Sequence, residues 1–231
     1  MREVPTMMVR MLEREVYSIA EAARLLVMPH GTLTYWLEGT KRSGKHYLPV
    51  LRETPTGNRN LTWGEFVEAG LLRQYRSNQI PMAELRAFIT NLRDDLGVPY
   101  PLAHAKPFIG GKELLWRAQE RAGLPPSEAL VSEARGQYLL LPAADAYLRR
   151  VDFAEQETAQ RWRLLPEDSD VVLDPQHRFG APTIGGIRTL TLWEAVQDTG
   201  DVEGTAQLFG LKSAQVHAAL AYEELQRSKA A

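Results

Sequence analysis

Apolar positions in this chain repeat at helical spacing in some stretches and at strand spacing in others, and the changes mark its elements. Ile19, Ala22, Ala23 and Leu26 fall at i, i+3, i+4 and i+7, one stripe of a helix. Ser18 and Glu21 before it read as a capping box, S-x-x-E. "VMPH" breaks this helix, and Pro29 suits the start of the next. Leu33, Trp36 and Leu37 repeat the i, i+3, i+4 spacing, and Gly39 provides a stop. The spacing makes Trp36 a core residue. It turns His30, Thr34 and Tyr35 away from the core, with Thr32 at the border. Tyr47, Val50 and Leu51 then predict a strand, "TPTGN" a turn and Leu61 the return strand, together a β-hairpin wing. Thr62 and Glu65 form a second capping box, opening a helix through Trp63, Phe66, Val67 and Leu71. Pro81 starts a fourth helix, with Leu85, Ile89, Leu92 and Leu96 on one face and Gly97 at its end.

The pattern changes at "GVPYPLAHAKPFIGGKELL", where prolines and short apolar runs replace helical periodicity. "QYLLL" (137–141) and "AQRWRLL" read as strands, and "AADAYLRRV" as a short helix. Further on, "DVVLDP" reads as a strand and "FGAPTIGGIRT" as a glycine-rich turn or hairpin. Thr191 and Glu194 suggest a third capping box. Asp201 can cap "VEGTAQLF", Gly210 stops it, and "SAQVHAALAYEELQR" is the last helix. The fold class expected is α+β, mainly helical. Three parts are expected: an N-terminal winged helix–turn–helix over 1–97, a small mixed α+β segment over 98–166, and a C-terminal helical domain over 167–231 with a second helix–turn–helix.

Composition narrows the function classes. The 231 residues are 44% hydrophobic, carry a formal net charge of −2 and include no cysteine. Disulfides, thiolate metal sites and cysteine nucleophiles are therefore excluded. No apolar run reaches the ~20 residues that span a bilayer. The charged N-terminus is unlike a secretory signal, so a cytoplasmic protein is expected.

Charge by region separates the two helix–turn–helix units. Between Gly39 and Leu61, Lys41, Arg42, Lys45, Arg52 and Arg59 stand against Glu53 alone, five cations and one anion, a net +4. Between Asp201 and Arg227, two cations (Lys212 and Arg227) stand against four anions, a net −2. Duplex DNA is held first through its phosphates, so only the N-terminal unit is equipped for it. The DNA-facing candidates are Ser18, His30, Thr32, Thr34 and Tyr35 on the helical pair, with Lys41, Arg42, Lys45, Arg52 and Arg59 around the wing. Threonine and histidine read bases weakly, so specificity calls for a dimer on two half-sites.

Enzymatic chemistry finds little support. His30, His46, His104, His177 and His217 show no metal-ligand spacing. Gly110-Gly111-Lys112 lacks the rest of a phosphate loop and reads as a hairpin turn. Asp168, Asp170 and Asp174 could bind Mg²⁺, but their flanks look like a loop and a strand. No catalytic residue, cofactor or metal is expected.

"YSIAEAARLLVMPHGTLTYWLEG" resembles the N-terminal helix–turn–helix of the MerR-like winged-helix regulators, over about 60 residues with the wing. Asp174-Pro175, Phe179-Gly180, Pro182, Ile184, Gly186 and Arg188 resemble the domain of unknown function 433, as do Gly200, Ala206, Phe209, Val216, Ala219-Leu220 and Glu223. Together the two parts resemble the larger VapB-type antitoxins of bacterial toxin–antitoxin pairs. That resemblance implies a partner, a PIN-like ribonuclease toxin, and repression of the protein's own operon. Only "QRSKAA" could serve as a toxin-binding tail, so toxin contact would involve the folded C-terminal or middle region. Arg188 and Arg227 are candidates for a cation placed among the toxin's metal-binding carboxylates. Their plainer roles are supporting the hairpin and facing solvent. A second reading is a MerR-like regulator with a ligand-sensing middle segment and no toxin.

Overall fold

The computed structural model describes residues 11–76, 81–109, 111–125, 129–134, 137–154, 158–164 and 170–230. The chain divides into two compact units, Met1–Ala159 and Gln160–Ala231. Both mix helix and strand, with helix predominating. Among the described residues, no helix is long and apolar enough to cross a membrane.

The first unit opens with β1 (Glu15–Ser18), α1 (Ile19–Leu25) and α2 (His30–Glu38). Ser18 Oγ accepts the Glu21 amide at 3.2 Å, as its half of the capping box requires. The turn to α2 is a Schellman motif: Met28 N donates to Ala23 O and Val27 N to Arg24 O. Val27 takes the left-handed position of that motif (φ 51), where a β-branched residue is strained. Leu33, Trp36 and Leu37 are fully buried, so Trp36 is core.

The hairpin after α2 differs from the expected one. It pairs β2 (Thr40–Arg42) with β3 (Lys45–Tyr47) through Ser43 and Gly44, both at positive φ as a type I′ turn requires. Val50 and Leu51 are not in a strand. Their amides donate to Trp36 O and their side chains plug the core. The expected return strand, β4 (Asn60–Thr62), pairs instead with β1, a partner more than forty residues earlier. Gly39 joins α2 to the hairpin at φ 69 and ψ −165, a conformation open only to glycine. A Cβ there would meet Tyr47 O at 2.2 Å. Local sequence therefore fixes both the twist of the hairpin and its seat on α2.

Thr62 and Glu65 complete both halves of their capping box: Thr62 Oγ1 accepts the Glu65 amide at 3.2 Å, and Glu65 Oε2 accepts the Thr62 amide at 2.9 Å. They open α3 (Trp63–Arg76), and α4 (Met82–Leu96) follows, ended by Gly97 in the left-handed region. Beyond it lie a 3₁₀ turn (Pro101–Ala103), α5 (Lys106–Ile109) and α6 (Lys112–Ala122). Gly111 is the N-cap of α6, not part of a hairpin turn, and Gly110 lies outside the described residues. Helix α6 packs on α4. The unit also contains the hairpin β5 (Val131–Ala134) and β6 (Gln137–Leu140), then α7 (Pro142–Leu148) and β7 (Val151–Phe153).

In the second unit β8 (Ala159–Arg163), which begins at the boundary, pairs with β9 (Val172–Leu173), β9 with β10 (Thr183–Ile184), and β10 with β11 (Ile187–Arg188), all antiparallel. Gly185 and Gly186 make the β10–β11 turn at positive φ, as the glycine pair suggests. Helices α8 (Thr189–Thr199), α9 (Val202–Phe209) and α10 (Ser213–Ala230) follow. Val171, Ile184, Leu192, Ala219 and Tyr222 form a core between sheet and helices. Asp201 Oδ1 caps α9 by accepting the Gly204 amide at 2.9 Å, and Gly210 ends it. Helix α8 starts two residues before the expected capping box, so Thr191 lies inside the helix. Thr189 instead donates to Glu223 Oε1 at 2.6 Å, tying α8 to α10.

Candidate nucleic-acid interface

Helix α2 buries one face and sets exposed His30 in line with half-buried Thr34 and Glu38, at i, i+4 and i+8. This line forms one wall of an open groove of about 530 Å³. Ser18, Ile19 and Ala20 form a second wall, and Gly57, Asn58 and Arg59 a third. Four of the sequence-selected residues, Ser18, His30, Thr34 and Arg59, therefore share one concavity. Thr32 and Tyr35 are half-buried and do not line it.

Two carboxylates that sequence reasoning did not single out hold the third wall. Glu38 Oε2 accepts the amides of Thr56 (3.0 Å) and Gly57 (2.8 Å). Glu15 accepts Asn58 Nδ2 at 2.7 Å and Asn60 Nδ2 at 2.9 Å. These two hydrogen bonds hold the Glu15 carboxyl below its usual range. The Arg59 carbonyl accepts the Ile19 amide at 2.9 Å, so its backbone is fixed against the start of α1. The one sequence signal for Glu38 is its spacing from His30 and Thr34. Glu15 gave none, because its partners lie 43 and 45 residues away.

The hairpin beside α2 is exposed along its whole length. Its register sets Lys41 opposite His46 and Arg42 opposite Lys45. Residues 40, 42, 45 and 47 share one face, so Arg42 and Lys45 are direct cross-strand neighbours. Lys41, Arg42, Lys45 and Arg59 form no ion pair with any described residue.

Arg52, counted with the hairpin cations in the sequence, is placed differently. It is only 8% exposed. Its Nε donates to Glu65 Oε1 at 2.8 Å and its Nη1 pairs with Glu38. Nη1 also donates to Asn58 O and Nη2 to Asn60 O. Burial works against its charge, but Glu65 and Glu38 outweigh burial and hold the guanidinium above its ordinary value. This charge is spent inside the unit, on the loop that carries Arg59.

In the second unit Arg188 is exposed and pairs across the sheet with Thr183. Arg227 lies with its guanidinium 3.7 Å from the centre of the Trp193 ring, stacked rather than simply solvated. Asp174 is buried and engaged by Arg161, the Gln176 amide and His177. Asp168 lies outside the described residues. Among the described residues, no three His, Asp or Glu side chains are grouped to hold a metal ion.

The chain is similar to a Mycobacterium tuberculosis protein named "Uncharacterized protein Rv2308", with 35% identity over 228 residues, 94% of this chain and 93% of the relative. It is 29% identical over 222 residues to "Putative antitoxin VapB45" of the same organism, covering 89% of this chain and 92% of that one. The X-ray crystal structure of Rv2018 from Mycobacterium tuberculosis superposes with a TM-score of 0.72 at 28% identity, over 90% of this chain and 99% of that one. No family model matches the sequence. On the strength of 35% identity along almost the whole of both chains, the chain belongs to the same family as Rv2308.

Proposed function

We propose that the protein is a non-enzymatic antitoxin that binds the operator DNA of its own gene and neutralises a PIN-like ribonuclease toxin in the cytoplasm. In this reading α1 and α2 form a MerR-like helix–turn–helix, and the β2–β3 hairpin is its wing. His30 and Thr34 face base edges, with Ser18 and Arg59 at the groove walls. Lys41, Arg42 and Lys45 hold backbone phosphates. A homodimer presents two such units to two half-sites.

The observation that carries the DNA half is the Arg42–Lys45 pair. Like charges directly opposed across a hairpin destabilise it, and a phosphate between them converts the repulsion into two attractions. The toxin half is supported by the relative named as an antitoxin, and by the residues from Asp174 to Glu223 that resemble the domain of unknown function 433.

Titration of DNA from upstream of its own gene, at several salt concentrations, tests the DNA half. The Arg42→Ala/Lys45→Ala protein should bind more weakly. Its plot of log affinity against log salt should be shallower by about 2, roughly one per lost phosphate contact. An unchanged slope with unchanged affinity would remove the hairpin from the interface.

A further inference from the structure

Residues 174–180, "DPQHRFG", link β9 to β10 in the second unit. Asp174 organises the link. Its Oδ1 accepts the Gln176 amide at 2.8 Å, and its Oδ2 accepts Arg161 Nε at 2.9 Å and lies 3.0 Å from His177 Nδ1. Burial opposes its charge, but these three partners hold the carboxyl below its usual range. The Gly180 amide donates to His177 O and the Ala181 amide to Arg178 O.

The backbone so fixed is strained. Arg178, Phe179 and Gly180 all have positive φ, at 50, 56 and 75. Glycine accepts this freely, but successive left-handed residues with side chains are rare and costly. Phe179 is also 78% exposed, above every other large apolar residue described. A turn alone would favour glycine or asparagine at 179, and a core role would bury the ring. Neither the strain nor the exposed ring benefits the free protein, and both features cluster where proteins hold a ligand or partner. The only carboxylate in the segment is buried and paired. Its exposed charge is that of Arg178.

We infer that Phe179 is the anchor by which the second unit docks a protein partner, its ring entering an apolar pocket with an acidic rim. The cationic flank matches such a rim, and aromatic and arginine side chains are enriched at protein interfaces over the rest of the surface. The occupant is the ribonuclease toxin, so this inference rests on the toxin half of the proposed function.

Full-length protein and its Phe179→Gly and Phe179→Ala variants, titrated with the ribonuclease encoded beside its gene, test it. Phe179→Gly should raise the melting temperature by about 2–4 °C, because strain is relieved. The same change should weaken the complex at least tenfold. Phe179→Ala should weaken it comparably without that gain in stability. A complex within twofold of wild type, or a Phe179→Gly protein that melts lower, overturns the anchor. Failure of the wild-type chain to bind the ribonuclease overturns the toxin reading and this occupant with it. Loss of self-association in the Phe179→Gly protein, read by light scattering, assigns the surface to a second copy and also overturns it.

Discussion

Replacing Arg52 by alanine should cost about 3–5 kcal/mol, the usual penalty for breaking a buried ion pair from one side. The arginine and Glu65 each keep 6% of their side-chain surface exposed, and Glu38 keeps 19%. Removing the cation leaves two largely desolvated carboxylates close together. It also removes the donors to Asn58 O and Asn60 O. Lysine should recover only part of the loss, because a point charge cannot fork to two carboxylates and two carbonyls. Arg52→Ala/Glu65→Ala should be less destabilised than the two single losses added together. Urea unfolding of wild type, Arg52→Ala, Arg52→Lys, Glu65→Ala and the double variant measures this, and a loss below about 1 kcal/mol for Arg52→Ala would contradict the buried network. DNA affinity should fall in Arg52→Ala because the Arg59 loop slackens. The salt slope should stay unchanged, since no phosphate contact is removed.

The protein should also lose stability as pH rises through neutrality, because of Glu68 on α3. This carboxyl is completely buried. Burial pushes it up from about 4.5 to about 7, although Arg93 and the Leu102 amide oppose the rise. The folded state therefore holds a proton that the unfolded state releases between those two values. The contribution of Glu68 is fully present below pH 4.5 and is lost as pH rises through about 7. A displacement of that size corresponds to about 3 kcal/mol. Glu68→Gln keeps an acceptor for Leu102 N and cannot ionise. Its stability relative to wild type should rise by about 3 kcal/mol between pH 4.5 and 8. A difference that is flat with pH, or that falls, would contradict this.

Both effects come from contacts that local pattern could not supply, and this separates the legible parts of the fold from the rest. The Ser18 cap, the Thr62 box, the stops at Gly39, Gly97 and Gly210 and the turn at Gly185-Gly186 are local. Each depends on residues within a few positions, and each formed. Strand β1 was not legible because its pairing with β4 crosses the whole helical pair. Val50 and Leu51 read as a strand because apolar neighbours do, but Trp36 O takes both of their amides. Helix α6 was hidden by the glycines and prolines before it, although its own "KELLWRAQERA" favours helix. The Thr191 box failed because Thr189 is held by Glu223, 34 residues on, and starts the helix earlier.

The candidate site divides the same way. His30, Thr34 and the hairpin cations could be chosen from helix faces and regional charge. Arg52 was assigned by charge alone, and only its distance to Glu38 and Glu65 shows that it is interior. Glu15 and Glu38, which hold the Arg59 loop, depend on partners 18 to 45 residues away. Phe179 could be quoted as part of a resemblance, but its exposure and backbone strain are three-dimensional facts.

Backbone NMR of the full chain titrated with its upstream DNA should show the first unit, not the second, meeting the duplex. Perturbations should concentrate in His30–Glu38, Thr40–Tyr47 and residues 56–59, leaving Val202–Phe209 and Ser213–Ala230 unmoved. Perturbation of those two C-terminal helices with the hairpin unmoved would place the DNA contact in the second unit instead.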